Sequence, residues 1–238
     1  MPDIHELVLA GPSRNALSSS FIQQIANELR AAGGRPLLLS GKDGVFSAGF
    51  HLGEVESLDE PGMIRFLRLF DDLIDALYTY PGPTVACVNG HAIAGGCMLA
   101  LCCDLRIAAD DAKIRIGLNE VPLGLEFPPK LFALVCARIP RQVRDRVLLE
   151  GALHDPRAAM ALGMVDEVAA DAGAAARAAI ERLASSPRAE YTATKRALRD
   201  GVLALSDADR RHFEGHIVPA WCSPAVKERI RSTLLKKS

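Results

Sequence analysis

The chain has 238 residues, of which 49% are hydrophobic, and a formal charge of −1. That length and apolar fraction suit one large or two small globular domains whose core needs no covalent staple. A near-neutral balance offers no basic face for nucleic acid, and no window of about 18 uncharged apolar residues offers a membrane span.

The apolar run at 6–10 predicts a first strand, and residues 18–32 predict a helix with Ser18 as N-cap. A strand at 36–40 precedes a helix over 62–80, where Met63, Phe66, Leu67, Phe70, Leu73, Ile74 and Leu77 recur at helical spacing and read as a core-facing stripe. Next come a strand at 84–88, a helix over 96–103 that is apolar on every side and therefore buried, and a strand at 105–108. Helices are predicted at 128–138, 141–151 and 156–162, then a strand at 165–168. Helices at 171–184, 188–200, 206–221 and 224–236 complete the chain. Strand–helix alternation followed by helices predicts an α/β fold with a largely parallel sheet and a helical C-terminal subdomain. The boundary falls near 170–190, giving a core over 1–185 and a helical region over 186–238.

Several standard chemistries fail on spacing. No two glycines are separated by a single residue, so the dinucleotide fingerprint is absent, and Gly96 stands where a phosphate-binding loop needs lysine. Ser47 lies outside a nucleophile-elbow motif, and nothing in the sequence brings it to His51. The cysteines Cys87, Cys97, Cys102, Cys103, Cys136 and Cys222 form neither C-x-x-C nor a zinc spacing. They read as free thiols in a reducing compartment, with no metal site and no cofactor expected. The opening MPDIHELVLA does not read as a signal peptide, and the closing Leu-Lys-Lys-Ser is not the peroxisomal Ser-Lys-Leu address, so a cytoplasmic location is expected.

What remains is backbone chemistry. Phe46-Ser47-Ala48-Gly49-Phe50 and Asn89 to Gly96 each lead from an apolar run into a bend, where N–H groups go unpaired. At Gly95-Gly96 the bend opens a buried helix, whose dipole adds positive potential. A tight strand-to-helix turn with no ligand accounts for the same residues, and Glu120 alone would read as a solvated loop carboxylate. Two amides converging on a carbonyl, with a carboxylate nearby, would make an oxyanion hole with a base.

The order of five segments resembles the crotonase (enoyl-CoA hydratase/isomerase) family. They are Arg14-Asn15-Ala16-Leu17-Ser18, Phe46 to Leu52, Asn89 to Cys97, Cys103-Asp104-Leu105-Arg106-Ile107-Ala108 and the Gly117-Leu118-Asn119-Glu120-Val121-Pro122-Leu123-Gly124 loop. The resemblance covers roughly residues 8–170. It implies a spiral of ββα units with a helical C-terminal region, built into a homotrimer or dimer of trimers and acting on acyl-CoA thioesters. Carried over by position, the oxyanion hole is the backbone N–H of Phe50 and of Gly95, and the base is Glu120. Ala16, Ala48 and Leu52 lie along coenzyme A, part of the 62–80 stripe walls the acyl pocket, and C-terminal cations help to hold the 3′-phosphate.

The departures carry the finer reading. Hydratases of this family resemble one another in a second glutamate, where this chain has Met98, and in a Pro-Gly-x-Gly-Gly stretch where it reads Glu126-Phe127-Pro128-Pro129-Lys130. One base suffices to move a double bond, and Ile116 to Glu120 is similar to the Δ3,Δ2-enoyl-CoA isomerases, so isomerisation is expected. A hydratase or other acyl-CoA chemistry is the alternative, and a non-catalytic acyl-CoA binder is the alternative of another class. His51 replaces the usual aspartate of Ala-Gly-x-Asp-Leu, a structural or coenzyme-touching substitution, and Glu126 is a spare carboxylate that reads as solvated.

Overall fold

The computed structural model describes residues 2–235. Strand β1 (His5–Leu9) leads through a tight turn, α1 (Pro12–Asn15), into α2 (Ser19–Ala32). Strands β2 (Leu37–Gly41) and β3 (Val45–Ser47) are followed by α3 (Leu52–Ser57) and α4 (Glu60–Tyr78). Strands β4 (Thr84–Val88) and β5 (His91–Ile93) are followed by α5 (Gly95–Cys102). Strands β6 (Leu105–Ala109) and β7 (Ile116–Gly117) lead through a 3-10 turn at Val121–Leu123 to α6 (Pro129–Arg138), α7 (Arg141–Glu150) and α8 (Pro156–Ala161). After β8 (Glu167–Ala169) the chain is helical: α9 (Ala172–Ala184), α10 (Arg188–Arg199), α11 (Asp207–His212), α12 (Val218–Trp221) and α13 (Pro224–Leu235). The end of the last predicted helix, at Lys236, lies outside the described residues, as does most of the Leu-Lys-Lys-Ser terminus.

Three successive passes of the chain, β2–β3, β4–β5 and β6–β7, each give one strand to each of two parallel sheets, and β1 and β8 join the larger sheet alone. The five-stranded sheet has the order β1-β2-β4-β6-β8 and the three-stranded one β3-β5-β7. With helices closing each pass, this is the expected spiral of ββα units. Strands β2 and β4 are almost wholly buried, which is why each carries a continuous apolar run, Leu37–Leu39 and Val85–Val88, in place of an alternating pattern. Where they leave the first sheet, Asn89 extends the ladder by one rung: its Oδ1 accepts from the Gly41 N–H at 2.9 Å, and its Nδ2 donates to the Gly41 carbonyl at 2.6 Å.

Local chemistry sets the helix ends. Ser18 Oγ accepts from the Phe21 N–H at 3.2 Å, capping α2 as expected. Helix α4 starts two residues before the predicted Gly62 because Asp59 caps it, accepting from the Gly62 N–H at 2.8 Å. All seven residues of its apolar stripe are buried. The predicted 206–221 helix is broken into α11, a π-helical turn at Phe213–Ile217, and α12.

The C-terminal helices share the main core, contributing Leu203, Phe213, Ile217 and Trp221. Helix α10 is anchored by Asp104. Its Oδ2 accepts from Lys195 Nζ at 2.9 Å, the Tyr191 hydroxyl at 2.8 Å and the Thr84 N–H at 2.8 Å, while Oδ1 pairs with Arg199. Lys195 and Arg199 are therefore turned inward, and Arg231 is engaged with Glu56, so these C-terminal cations are not free to meet a phosphate. No helix of the described residues is long and apolar enough to cross a membrane.

Asp104→Ala would leave two buried cations without their carboxylate, a change that typically costs about 3–5 kcal/mol. Denaturant unfolding should show a loss of that size. A loss below about 1 kcal/mol would mean that apolar contacts alone hold α10.

Candidate active site

Three neighbouring strand ends define the site. Strand β3 ends at Ser47, β5 at Ile93 and β7 at Gly117, and the candidate residues Phe50, Gly95 and Glu120 lie just beyond them. Phe50 forms a parallel bridge with Leu17. In that bridge the Leu17 N–H donates to the Gly49 carbonyl at 2.8 Å and the His51 N–H donates to the Leu17 carbonyl at 3.0 Å. A parallel ladder alternates direction along the strand, so the intervening Phe50 N–H faces away from Leu17. Among the described residues it meets no acceptor.

Gly95 reaches the same state by another route. Ala94 is held at φ 50°, ψ −118°, a costly conformation for a residue with a Cβ. It persists because both its ends are engaged: its N–H donates to the Gly117 carbonyl at 2.8 Å and its carbonyl accepts from the Met98 N–H at 3.0 Å. The twist turns the chain into α5, and the Gly95 N–H, at the first position of that helix, has no acceptor among the described residues. The two segments that carry these amides pack against each other. Gly49 sits at φ +84°, and a Cβ there would stand 2.8 Å from the Ile93 carbonyl and 3.6 Å from the Gly95 nitrogen. A Cβ on Gly95 would lie 3.3 Å from the Phe50 ring. At Gly96 a Cβ would stand 2.5 Å from the Ser47 carbonyl, so only glycine lets α5 start against β3.

Glu120 is buried, and its Oε2 has no hydrogen-bond partner among the described residues. Burial pushes its carboxyl up from the ordinary range to about 7, opposed only by a hydrogen bond from its own backbone. It lies beside α5: the Glu120 charge adds to the burial that pushes the Cys97 thiol up to about 12. The adjacent Asn119 Oδ1 is likewise buried without a partner among those residues. Asp71 on α4 is likewise raised to about 7 by burial, but its charged neighbours are Lys130, Asp75, Asp72 and Arg68, and it lines a separate polar cavity of about 470 Å³.

The other expected residues fall around this centre. Ala16 is buried in the turn after α1, Ala48 is half-buried with its N–H donating to the Arg14 carbonyl at 3.2 Å, and Leu52 is half-buried at the start of α3. His51 is a helix cap, its Nδ1 accepting from the Glu54 N–H at 3.1 Å. Ser47 Oγ donates to the Asn15 carbonyl at 2.8 Å, which excludes a Ser47–His51 pair. His91 shapes backbone, its Nδ1 accepting from the Arg115 N–H at 2.9 Å. Glu126 is half-exposed and paired with His212 and His216, so its carboxylate is engaged away from Glu120.

Two groups escape a reading of the sequence alone. Asn15 ties the α1 turn to β3, its Nδ2 donating to the Val45 carbonyl at 2.7 Å. Phe50 itself is caged edge-on by Phe66 at 5.0 Å, Phe70 at 4.8 Å and Trp221 at 6.2 Å between ring centroids. The helical stripe marks Phe66 and Phe70 as core, but nothing in it points to Phe50.

Two backbone amides without an acceptor among the described residues and a buried carboxyl raised to about 7 thus lie just past neighbouring strand ends of a parallel ββα spiral. The sequence profile of the enoyl-CoA hydratase/isomerase family matches residues 3–225, and the chain belongs to that family. The mitochondrial enoyl-CoA delta isomerase 1 of Mus musculus is 33% identical over 187 residues, covering 76% of this chain and 65% of its own length. A Thermus thermophilus protein bearing an enoyl-CoA hydratase name is 36% identical over 199 residues, 78% of this chain and 76% of its own. The crystal structure of human mitochondrial delta3-delta2-enoyl-CoA isomerase superposes with a TM-score of 0.91 at 27% identity, covering 98% of this chain and 94% of that one.

The Glu120 carboxyl makes stability depend on pH. Below about 4.5 both folded and unfolded chains hold its proton; between 4.5 and about 7 the unfolded chain loses it first, so stability falls as pH rises. Glu120→Gln removes that dependence. Relative to wild type, the variant should gain stability between pH 4.5 and pH 8, by up to about 3 kcal/mol, because each tenfold difference in proton affinity between the folded and unfolded chain is worth about 1.4 kcal/mol. Asp71 titrates in both proteins and cancels. Parallel unfolding curves at the two pH values would show that Glu120 is not held neutral by burial.

Proposed function

We propose that the chain moves the double bond of 3-enoyl-CoA thioesters to the 2-position. The observation that carries this reading is the solitary carboxyl: Glu120 is buried, its Oε2 has no partner among the described residues and burial raises it to about 7, while the position of a second family glutamate is Met98, itself buried. The thioester carbonyl lies between the Phe50 and Gly95 amides. Glu120 takes a proton from C2, and negative charge develops on the carbonyl oxygen, where the two N–H groups and the α5 dipole meet it. The same carboxyl, now protonated, returns the proton at C4. Every step uses one base, which agrees with the lack of a second one on α5.

The hydratase reading draws on the relative with that name, and it needs a group to position water that the Met98 thioether cannot supply. Homo-oligomeric assembly and a cytoplasmic setting belong to the same proposal.

Incubation with 3-enoyl-CoA and 2-enoyl-CoA, following double-bond migration and water addition separately, divides these readings. Migration without comparable hydration is expected. Robust hydration would transfer the assignment to the hydratases, and binding with neither reaction would leave an acyl-CoA carrier. Glu120→Gln should lower isomerisation by about 10²–10⁴-fold while leaving acyl-CoA binding in place. Because the base acts deprotonated, kcat/KM should rise with pH through about 7 and then level off. A free 3-enoic acid, already charged at its carboxylate, should not react.

A further inference from the structure

The chain has one tryptophan, Trp221, and it is 2% exposed where α12 meets the core. Its ring lies 6.2 Å from the Phe50 ring at an interplanar angle of 61°. Its Nε1–H donates to the Glu126 carbonyl at 2.9 Å. These two contacts belong to different halves of the site. Phe50 carries one of the unpartnered amides. Glu126 ends the turn that begins at Glu120, whose carbonyl accepts from the N–H of Leu123 and of Leu125 at 3.0 Å each. The Glu126 carboxylate is held by the same C-terminal segment, 2.6 Å from His212 Nε2 and 3.5 Å from His216 Nε2.

The backbone aims the indole. Pro219 has no N–H, and in an unbroken α-helix its ring would collide with the carbonyl of Gly215, four residues back. The helix widens instead: Phe213–Ile217 is π-helical, and the Val218 N–H reaches back to the Phe213 carbonyl. One extra residue in that turn rotates everything after it by about 100° relative to a continuous α-helix. Trp221 thereby faces Phe50 and Glu126 together.

We propose that Trp221 is a positioning residue, a rigid cross-link that fixes the spacing between the Phe50 amide and the Glu120 loop, aimed by the π turn before Pro219. The proposal rests on the roles given to Phe50 and Glu120 above. The indole reaches no reacting atom, and its effect is on geometry, where a displacement of about 1 Å can cost 10²-fold in rate. The loop between Glu120 and Glu126 has no regular structure beyond one 3-10 turn; Leu125 and Leu123 seat it on the core, and the Trp221 hydrogen bond adds a directional tie at its far end.

Trp221→Phe keeps an aromatic ring against Phe50 and removes the Nε1–H. With 3-enoyl-CoA as substrate, kcat is expected to fall about 5- to 50-fold, between the loss of one hydrogen bond and the cost of a misplaced base, with KM within twofold. The acid limb of kcat/KM should also move to lower pH as water reaches Glu120, whose titratable neighbour is Cys97 on α5. A wild-type kcat with an unmoved acid limb overturns the proposal. Pro219→Ala retains the indole and decides the matter should Trp221→Phe fail to fold. It should reproduce the fall in kcat and shift the emission of the single tryptophan; wild-type values for both overturn the proposal. A readout free of turnover is the emission of wild-type protein saturated with a non-reacting saturated acyl-CoA, with saturation established by calorimetry. Changed emission is expected, and unchanged emission counts against the cross-link. Failure of the underlying reading looks different: Glu120→Gln would then turn over like wild type. With Glu120→Gln inactive and Trp221→Phe fully active, only the cross-link falls.

Discussion

A parallel ladder satisfies the N–H and C=O of each strand on alternate sides, and it does so only while the neighbouring strand continues. In this chain the three-stranded ladder stops after two or three residues per strand, at Ser47, Ile93 and Gly117. Just past those ends lie Phe50, Gly95 and Glu120. Their convergence follows from adjacency in the sheet, the same reason ligands of open α/β sheets bind outside the carboxyl ends of the strands. The helices that follow cover the flanks but do not supply the lost rungs, so the Phe50 and Gly95 N–H groups meet no acceptor among the described residues. Gly49 and Gly96 make this termination possible, because a side chain at either would force β3, β5 and α5 apart.

That arrangement costs stability. A buried carboxyl with one oxygen unpartnered and two amides without acceptors among the described residues, together with Ala94 in a left-handed twist, would each be removed by selection for stability alone. They are offset by a core that runs unbroken from α2 and α4 through α5 to the C-terminal helices, and by the Asp104 cluster that fastens α10. Strain is concentrated at the strand ends and supported from outside by ordinary packing, which is the pattern expected of a site that must be preorganised.

The sequence displays the first sheet and conceals the second. Strands β2 and β4 are five residues long, almost wholly buried and built around the apolar runs Leu37–Leu39 and Val85–Val88, so their burial is legible in their composition. Strands β3, β5 and β7 have two or three residues each, too few for any alternation to register, so the sheet that carries the site is visible only through resemblance. The helix over 206–221 shows another limit: its periodicity is helical throughout, and only the consequence of Pro219 for the preceding turn breaks it. Asp59 as the cap of α4 is legible from its residue type, whereas the apolar stripe by itself starts the helix at Gly62. The cage around Phe50 is not legible, since Phe66, Phe70 and Trp221 lie far from it in sequence and meet it only through the stacking of α4 and α12 on the strand ends.

The surroundings of Glu120 bear on what its proton can do. Two carboxylates within reach of one another split their titration, and the shared proton can pass between them or to a water they both hold. On α5, beside Glu120, this chain offers a methionine at 98 and, at 97, a thiol raised to about 12, which will not surrender or exchange a proton near neutrality. The Glu126 carboxylate is tied to two histidines on the far side of the loop. On the proposed reading, a proton taken up by Glu120 therefore has no second side-chain carrier beside it. Burial makes the protonated form stable enough to persist while charge rests on the substrate, and the nearest basic carbon is then another atom of the same substrate. On that proposal, a site that isolates its one carboxyl in this way favours returning the proton to the substrate, and Met98 matters to the chemistry by being unable to carry a proton.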